Sequence, residues 1–281
     1  MIAFHTNKGT ASQPGFWPDY WKTVSIQFDS RYLPEYPVLM RHLTPAARVL
    51  DVGCGRGIVV RELLRLGHKA RGIDFDADSI FDSVAHAGYF PGEVGDLNLL
   101  PYRDNSFDAV LLAGTIEHVF DGPQRGCSEV FRVLRPGGVV VLTIPYINII
   151  RKILLPFYTS RDVLYSFFPE RRKERFFEWV FTRSEVFRWL KQAGFSVCEC
   201  RRAYYTTVLR KIPGVIRASE FVFGRRMPSN GAAPRNSSGG SRFSPRTKEL
   251  LKRTIEGTLN MIMPNRLLVV ARKPAVSESA A

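Results

Sequence analysis

The chain has 281 residues, of which 45% are hydrophobic and 23% charged, a balance that excludes wholesale disorder and supplies a sizeable core. Its length suits one elaborated α/β domain. Forty Lys and Arg against twenty-six Asp and Glu leave a formal charge of +14, which attracts phosphates, nucleic acid or anionic lipid at long range without choosing among them.

In chain order, residues 1–44 read as an N-terminal helical or lid segment. The opening MIAFHTNKGTASQPGFW carries no basic stretch followed by a long apolar one, so the reading is cytoplasmic, without a secretory signal. From Arg48 to Ile144 short apolar runs alternate with helix-like segments, the rhythm of a parallel sheet with helices on both faces. Strands are predicted at Arg48–Val52, Ala70–Ile73, Gly92–Val94, Asp108–Ala113 and Val139–Ile144. Helices are predicted at Gly57–Leu66 with Leu63 and Leu64 toward the sheet, at Ala77–Ala87 capped by Asp76, and around Ser128–Leu134.

After Pro145 the rhythm breaks. Residues 146–181 are aromatic and basic and read as a lid insertion, with Pro145, Arg151, Lys152 and Pro156 interrupting any apolar run that could span a bilayer. At Thr182, TRSE spells a capping box that starts a helix presenting Val186, Trp189, Leu190 and Ala193 on one face and stopping at Gly194. Phe195–Cys200 follows as a strand. Residues 227–246, rich in Ser, Gly, Pro and Asn, read as a flexible loop. Thr247–Met263 returns to a helical pattern, Asn265–Ala271 reads as a last strand, and residues 272–281 as a disordered tail, so the main domain is 45–271. Cys54, Cys127, Cys198 and Cys200 show no metal-ligand spacing, and no metal ligand is assigned.

The most specific signal is VLDVGCGRG at residues 49–57. Gly53, Gly55 and Gly57 allow a tight strand-to-helix turn that approaches a ligand and directs helix-end N–H groups toward it. The glycines spell GxGxG, with Ile58 where a dinucleotide fingerprint requires glycine, and no Lys-Ser or Lys-Thr pair makes a P-loop. Asp51 at the end of the first strand disfavours phosphates and suits a ligand ammonium, or else ties down the turn. Asp74 ends the second strand, 21 residues after Gly53, where a carboxylate accepts from ribose hydroxyls, or else serves as an ordinary turn residue. Asp96 follows the third strand, placed either to accept from an exocyclic amine or to close a turn.

Taken in order, VLDVGCGRG, GIDFDADSI, GDLNLLPYRDNSFDAVLLAGTIEHV and VLRPGGVVVLTIP resemble the class I methyltransferases that use S-adenosylmethionine. The resemblance covers residues 45–200, completed by 247–271. It implies a Rossmann-like three-layer α/β sandwich with a seven-stranded, mostly parallel sheet whose last strand is antiparallel. It implies S-adenosyl-L-methionine as cofactor, with Asp51 and the turn Gly53, Cys54, Gly55 and Gly57 at the methionine portion. Asp74 and Phe75 then fall at the ribose, Asp96 and Leu97 at the adenine, and Thr115 beside the sulfonium.

Glu117 and His118 follow the fourth strand. Glu117 reads as a positioning residue, and His118 as a general base or as a structural or substrate-orienting group. The implied reaction is methyl transfer to an O, C or N nucleophile of a small-molecule or lipid-linked acceptor. The alternative is a non-catalytic basic membrane- or nucleic-acid-binding protein on the same scaffold. Residues 201–253 hold thirteen Lys or Arg against two Glu, but no zinc-finger, RNA-recognition or helix-turn-helix signature. That turns the reading away from nucleic acid and leaves a solvated face or peripheral contact with an anionic membrane surface.

Overall fold

The computed structural model describes residues 2–5, 17, 33–147, 176–203 and 266–275. The chain divides into two compact units, Met1–Arg201 with Arg266–Ala281, and Arg202–Asn265; nearly all of the second lies outside the described residues. So do the predicted loop at 227–246, the predicted helix Thr247–Met263, and residues 148–175 of the lid insertion.

In chain order the elements are β1 (Ile2–His5), α1 (Glu35–His42), β2 (Arg48–Val52), α2 (Ile58–Arg65), β3 (Lys69–Asp74), α3 (Ala77–Ala87) and β4 (Gly92–Val94). They continue as β5 (Phe107–Ala113), a 3-10 turn at Ile116–His118, α4 (Gln124–Val133), β6 (Leu134–Pro145), β7 (Phe176–Val180), α5 (Arg183–Gln192), β8 (Ser196–Ala203) and β9 (Arg266–Arg272). A seven-stranded sheet runs in the order β4-β3-β2-β5-β6-β9-β8. Strands β2 to β6 pair in parallel, and β9 pairs antiparallel with β6 from Pro145↔Arg266 to Val139↔Arg272. This is the Rossmann-like α/β sheet with an antiparallel closing strand. The order reverses between β2 and β5, the crevice where open α/β sheets bind ligands.

Central strands buried on both faces need apolar side chains at every position, and Val49, Leu50, Val110, Leu111, Val140 and Val141 are all buried. On α2 the buried side chains are Val59, Val60 and Leu63, while Leu64 is exposed. The expected pairing of Leu63 with Leu64 toward the sheet therefore fails, because consecutive helical residues point about 100° apart. Asp76 caps α3 by accepting from the Ser79 N–H at 3.1 Å. The capping box is complete: Glu185 N donates to Thr182 Oγ1, and Thr182 N donates to Glu185 Oε2 at 2.8 Å. Gly194 stops α5 with φ near +98°.

Most boundaries differ from the sequence reading by a residue or two, while α4 begins at Gln124 rather than around Ser128 and β8 runs to Ala203 rather than Cys200. Strand β6 begins at Leu134 rather than Val139, because pairing extends beyond Val139 on both sides: Leu134 pairs with Phe107 of β5, while Gly137 N donates to Lys273 O and Lys273 N to Gly138 O. The order at the C-terminal end therefore continues past residue 272. Lys273 Nζ donates to the carbonyls of Phe131 and Leu134 at 2.9 and 2.7 Å and lies over the Phe131 ring. The N-terminal segment contains a strand as well as a helix, since β1 pairs antiparallel with β7. The two ends of the lid insertion meet, Phe181 N donating to Pro145 O and Ile147 N to Phe181 O.

Replacing Thr182 with Ala removes the hydroxyl of the capping box. We expect a loss of about 1 kcal/mol in urea-induced unfolding with an unchanged slope.

Candidate active site

Three neighbouring strands bring the three predicted carboxylates to one edge. Asp51 is the penultimate residue of β2 and pairs with Gly72 of β3 and Leu111 of β5. Asp74 is the last residue of β3, opposite Val94 at the end of β4. Asp96 follows β4 by two residues, after Gly95 has donated its N–H to the Asp74 carbonyl at 2.9 Å. With strands about 4.8 Å apart, the row spans about 10 Å.

The carboxylates have different duties. Asp74 Oδ2 accepts from Gly55 N at 2.7 Å and Oδ1 from Asp76 N at 2.9 Å, so Asp74 holds the glycine turn against the start of α3. Each oxygen keeps a lone pair for a further donor. Burial raises the Asp74 pKa, and these backbone bonds oppose the rise. Asp51 is buried, and its carboxylate has no hydrogen-bond or ion-pair partner among the described residues. Loss of solvation, with the nearby charges of Asp74 and Glu35, pushes its pKa up to about 7. It is thus Asp74, not Asp51, that ties down the turn. Asp96 is exposed and accepts from Asn98 N at 2.8 Å, closing its own turn with acceptor capacity to spare.

Four N–H groups of the turn are already paired within the protein. Gly53 N and Cys54 N both donate to Ile73 O at 2.7 and 3.2 Å, Gly55 N to Asp74, and Gly57 N to Cys54 O at 2.9 Å. These four turn donors are spent inside the protein, so any N–H group left for a ligand is at Arg56 or at the start of α2, from Ile58 to Val60. The glycines at 53 and 57 serve packing as well. Both have positive φ, and a Cβ would collide with Thr115 at the first and with the Phe90 ring at the second.

Several of the predicted site residues also make contacts within the protein. The Thr115 hydroxyl donates to Val52 O at 2.9 Å, joining the loop after β5 to the end of β2. The Cys54 thiol is buried, packs on Gly72 and is held protonated by that burial. Leu97 is buried against Gly126 of α4. Phe75 is half-buried beside Asp74. The loop after Asp96 is held by a pair the sequence reading did not single out: Glu129 accepts from Leu100 N, and Arg132 donates to the carbonyls of Leu100 and Tyr102.

Beyond Thr115 the 3-10 turn presents Glu117 and His118. Glu117 is fully buried, and its Oε1 accepts from Arg266 Nη1 of β9 at 2.6 Å. Its charge is therefore committed to a guanidinium instead of standing free at a sulfonium. His118 Nδ1 lies 2.6 Å from Phe177 O, and the Trp17 and Phe177 rings meet the imidazole edge-on at 5.0 and 5.2 Å. A carbonyl only accepts, so Nδ1 carries the hydrogen and the neutral ring has its lone pair on Nε2. Trp179 Nε1 donates to the carbonyls of Val119 and Phe120, fixing β7 against this turn. Glu35, Arg266 and Glu178 were missed in the sequence because each comes from a distant segment with no spacing signal.

The Asp51 shift carries a sign. A carboxyl whose folded pKa lies above its unfolded value leaves the folded state binding more protons between about pH 4 and 7, so its contribution falls as pH rises through that window and is flat above it. We expect wild type to lose up to about 4 kcal/mol relative to Asp51→Asn across that window, read from urea unfolding at each pH. A pH-independent difference between the two would contradict the shift.

Residues 50–142 match the methyltransferase domain family. A probable S-adenosylmethionine-dependent methyltransferase of Mycolicibacterium smegmatis is 34% identical over 106 residues, covering 38% of this chain and 41% of that protein. A ubiquinone/menaquinone biosynthesis C-methyltransferase of Geobacter sulfurreducens is 35% identical over 128 residues, 42% of this chain and 45% of that one. A ubiquinone biosynthesis O-methyltransferase of Hahella chejuensis is 29% identical over 177 residues, 61% of this chain and 72% of that one. The match thus spans half or less of the first of these relatives. Among solved structures, an S-adenosylmethionine-dependent methyltransferase of Methanosarcina mazei superposes with TM-score 0.56 at 18% identity, covering 86% of this chain and 99% of that one. The [4+2]-cyclase SpnF superposes with TM-score 0.53 at 17% identity, covering 90% and 86%, so the fold alone does not specify methyl transfer. Residues 50–142 thus match a methyltransferase domain, and the strand order and the acid-lined glycine turn agree with a class I S-adenosylmethionine-dependent methyltransferase fold.

Proposed function

We propose that the protein transfers the methyl group of S-adenosylmethionine to a small acceptor bearing an aromatic, quinone-type ring. The observation that carries the reading is Asp51: a buried carboxylate with no counter-charge among the described residues, beside a turn whose Gly53, Cys54, Gly55 and Gly57 N–H groups are already spent. Such a place rejects a phosphate and rewards an ammonium.

In this reading Asp51 holds the methionine ammonium, the spare lone pairs of Asp74 accept from the ribose hydroxyls, and Asp96 accepts from the adenine amine. S-adenosylmethionine, once bound, supplies an electrophilic methyl carbon. The chain's own task is to align the acceptor opposite that carbon and keep water out, and alignment alone accounts for several powers of ten in rate. Trp17 and Phe177, which pack about His118, offer flat apolar surfaces against which an aromatic acceptor would lie. Relatives named for C- and O-methylation in quinone biosynthesis support this acceptor class. A lipid-linked acceptor fits the aromatic and basic character of residues 146–181 and the peripheral membrane contact it would bring.

Titration calorimetry with S-adenosylhomocysteine tests the cofactor half. We expect saturable binding, weakened by about 1 to 3 kcal/mol in Asp74→Ala and by a similar amount in Asp51→Asn. Unchanged affinity in both variants would remove the assigned roles. Salt-dependent capture of anionic vesicles with no cofactor binding would instead favour the non-catalytic scaffold. For the acceptor, incubation of a host metabolite extract with methyl-labelled cofactor should label an aromatic compound, identified by mass spectrometry; label confined to an aliphatic amine would overturn the acceptor class.

A further inference from the structure

We propose that Glu117, His118 and Glu178 bind a divalent first-row cation, Zn2+ or Mn2+, at the junction of the 3-10 turn with β7. Each offers one donor atom, and the three lie within 4.8 Å of one another. Two come from consecutive residues of the turn and the third from a strand about sixty residues later, so the cluster is made by the fold and leaves no spacing motif.

Two independent features point to a ligand there. His118 is prepared as a metal ligand: Nδ1–H is fixed on Phe177 O, and Trp17 and Phe177 clamp the ring, leaving Nε2 with its lone pair. Ligating histidines characteristically donate their other N–H to a carbonyl or carboxylate in this way. Glu117 supplies the second: it is fully buried, Arg266 occupies Oε1, and Oε2 is buried with no hydrogen-bond partner among the described residues. An unmatched buried carboxylate oxygen is costly, and a cation satisfies it.

Donors bonded at about 2.1 Å to a shared cation stand about 3 to 4 Å apart, so closing the cluster requires side-chain movements of about an ångström. One imidazole and two carboxylates suit Zn2+ or Mn2+, and lack the soft donors that select copper(I). The Arg266 guanidinium beside Glu117 opposes the cation and weakens its binding relative to the tight structural sites.

Three protein ligands leave coordination positions open. Under the methyl-transfer reading, on which this consequence rests, an acceptor hydroxyl bound there loses its proton to solvent more readily. Its oxygen then forms the new bond to the methyl carbon as the sulfur–carbon bond breaks. His118 would act as ligand and not as general base, and the acceptor atom would be oxygen.

The test uses the full chain stripped with EDTA. Calorimetry with ZnCl2, and separately with MnCl2, should show saturable binding of one cation per chain by at least one of them. Co2+ should develop a visible absorption band. Glu178→Gln and His118→Gln should each weaken cation binding by about tenfold or more and abolish the band. Glu178→Gln should leave S-adenosylhomocysteine binding unchanged, which also reports that the variant is folded. Absence of saturable binding of either cation to wild type, or wild-type affinity in both variants, would overturn the proposal. If the cation binds while S-adenosylhomocysteine does not, the cofactor reading falls and the metal site stands; the reverse result removes the site alone.

Discussion

A carboxylate without a counter-charge lies at the end of β2, and much of the molecule can be understood from how it is kept there. Water is excluded from Asp51 by the double-sided burial of the central strands, and its neighbours Asp74 and Glu35 add negative charge instead of relieving it. Asp74 can do so because its own position is secured by the backbone of the glycine turn and of α3. Glu35 is held from the other side by the hydroxyl of Thr143 on β6, so α1 also contributes to the edge. The fold thus concentrates unfavourable electrostatics at one place, an arrangement that a cationic ligand group relieves and a phosphate aggravates.

The parts of this arrangement that obey local rules were legible in the sequence. Alternation of apolar runs and helical segments placed β2 through β6, and Asp76, Thr182, Glu185 and Gly194 announced their helix ends because capping depends on a few adjacent residues. The three acids were likewise readable, since strand ends in a parallel sheet share an edge. What could not be read was the division of labour. Whether Asp51 or Asp74 supports the turn depends on side-chain direction, and the use of the turn's N–H groups depends on Ile73 O lying opposite Gly53. Thr115 similarly turned out to brace the turn.

Long-range partners were the other blind spot. Glu117 reads in the sequence as a positioning residue, and its partner Arg266 lies 149 residues away on the antiparallel strand. Glu178 reaches the same region through β7, which β1 covers from the far end of the chain. Segment 146–181 reads in the sequence as a break in rhythm and a lid insertion, with no partner residues identified. Its described ends return to the sheet at Pro145 and Phe181, so the excursion closes beside the 3-10 turn and delivers Phe177, Glu178 and Trp179 there. The cofactor edge is thus built by strands close in sequence, and the neighbouring turn by segments far apart. This explains why residues of the first kind were named before those of the second.

The most direct measurement of the central claim is proton release on cofactor binding, obtained by calorimetry with S-adenosylhomocysteine at about pH 6.5 in buffers of different ionisation enthalpy. With its pKa near 7, Asp51 is largely protonated in the free protein at that pH, and an arriving ammonium forces it to ionise. Wild type is predicted to release a large fraction of a proton, fading above pH 8 and missing in Asp51→Asn. Tight binding with no proton release, or the same release from the variant, would contradict the account.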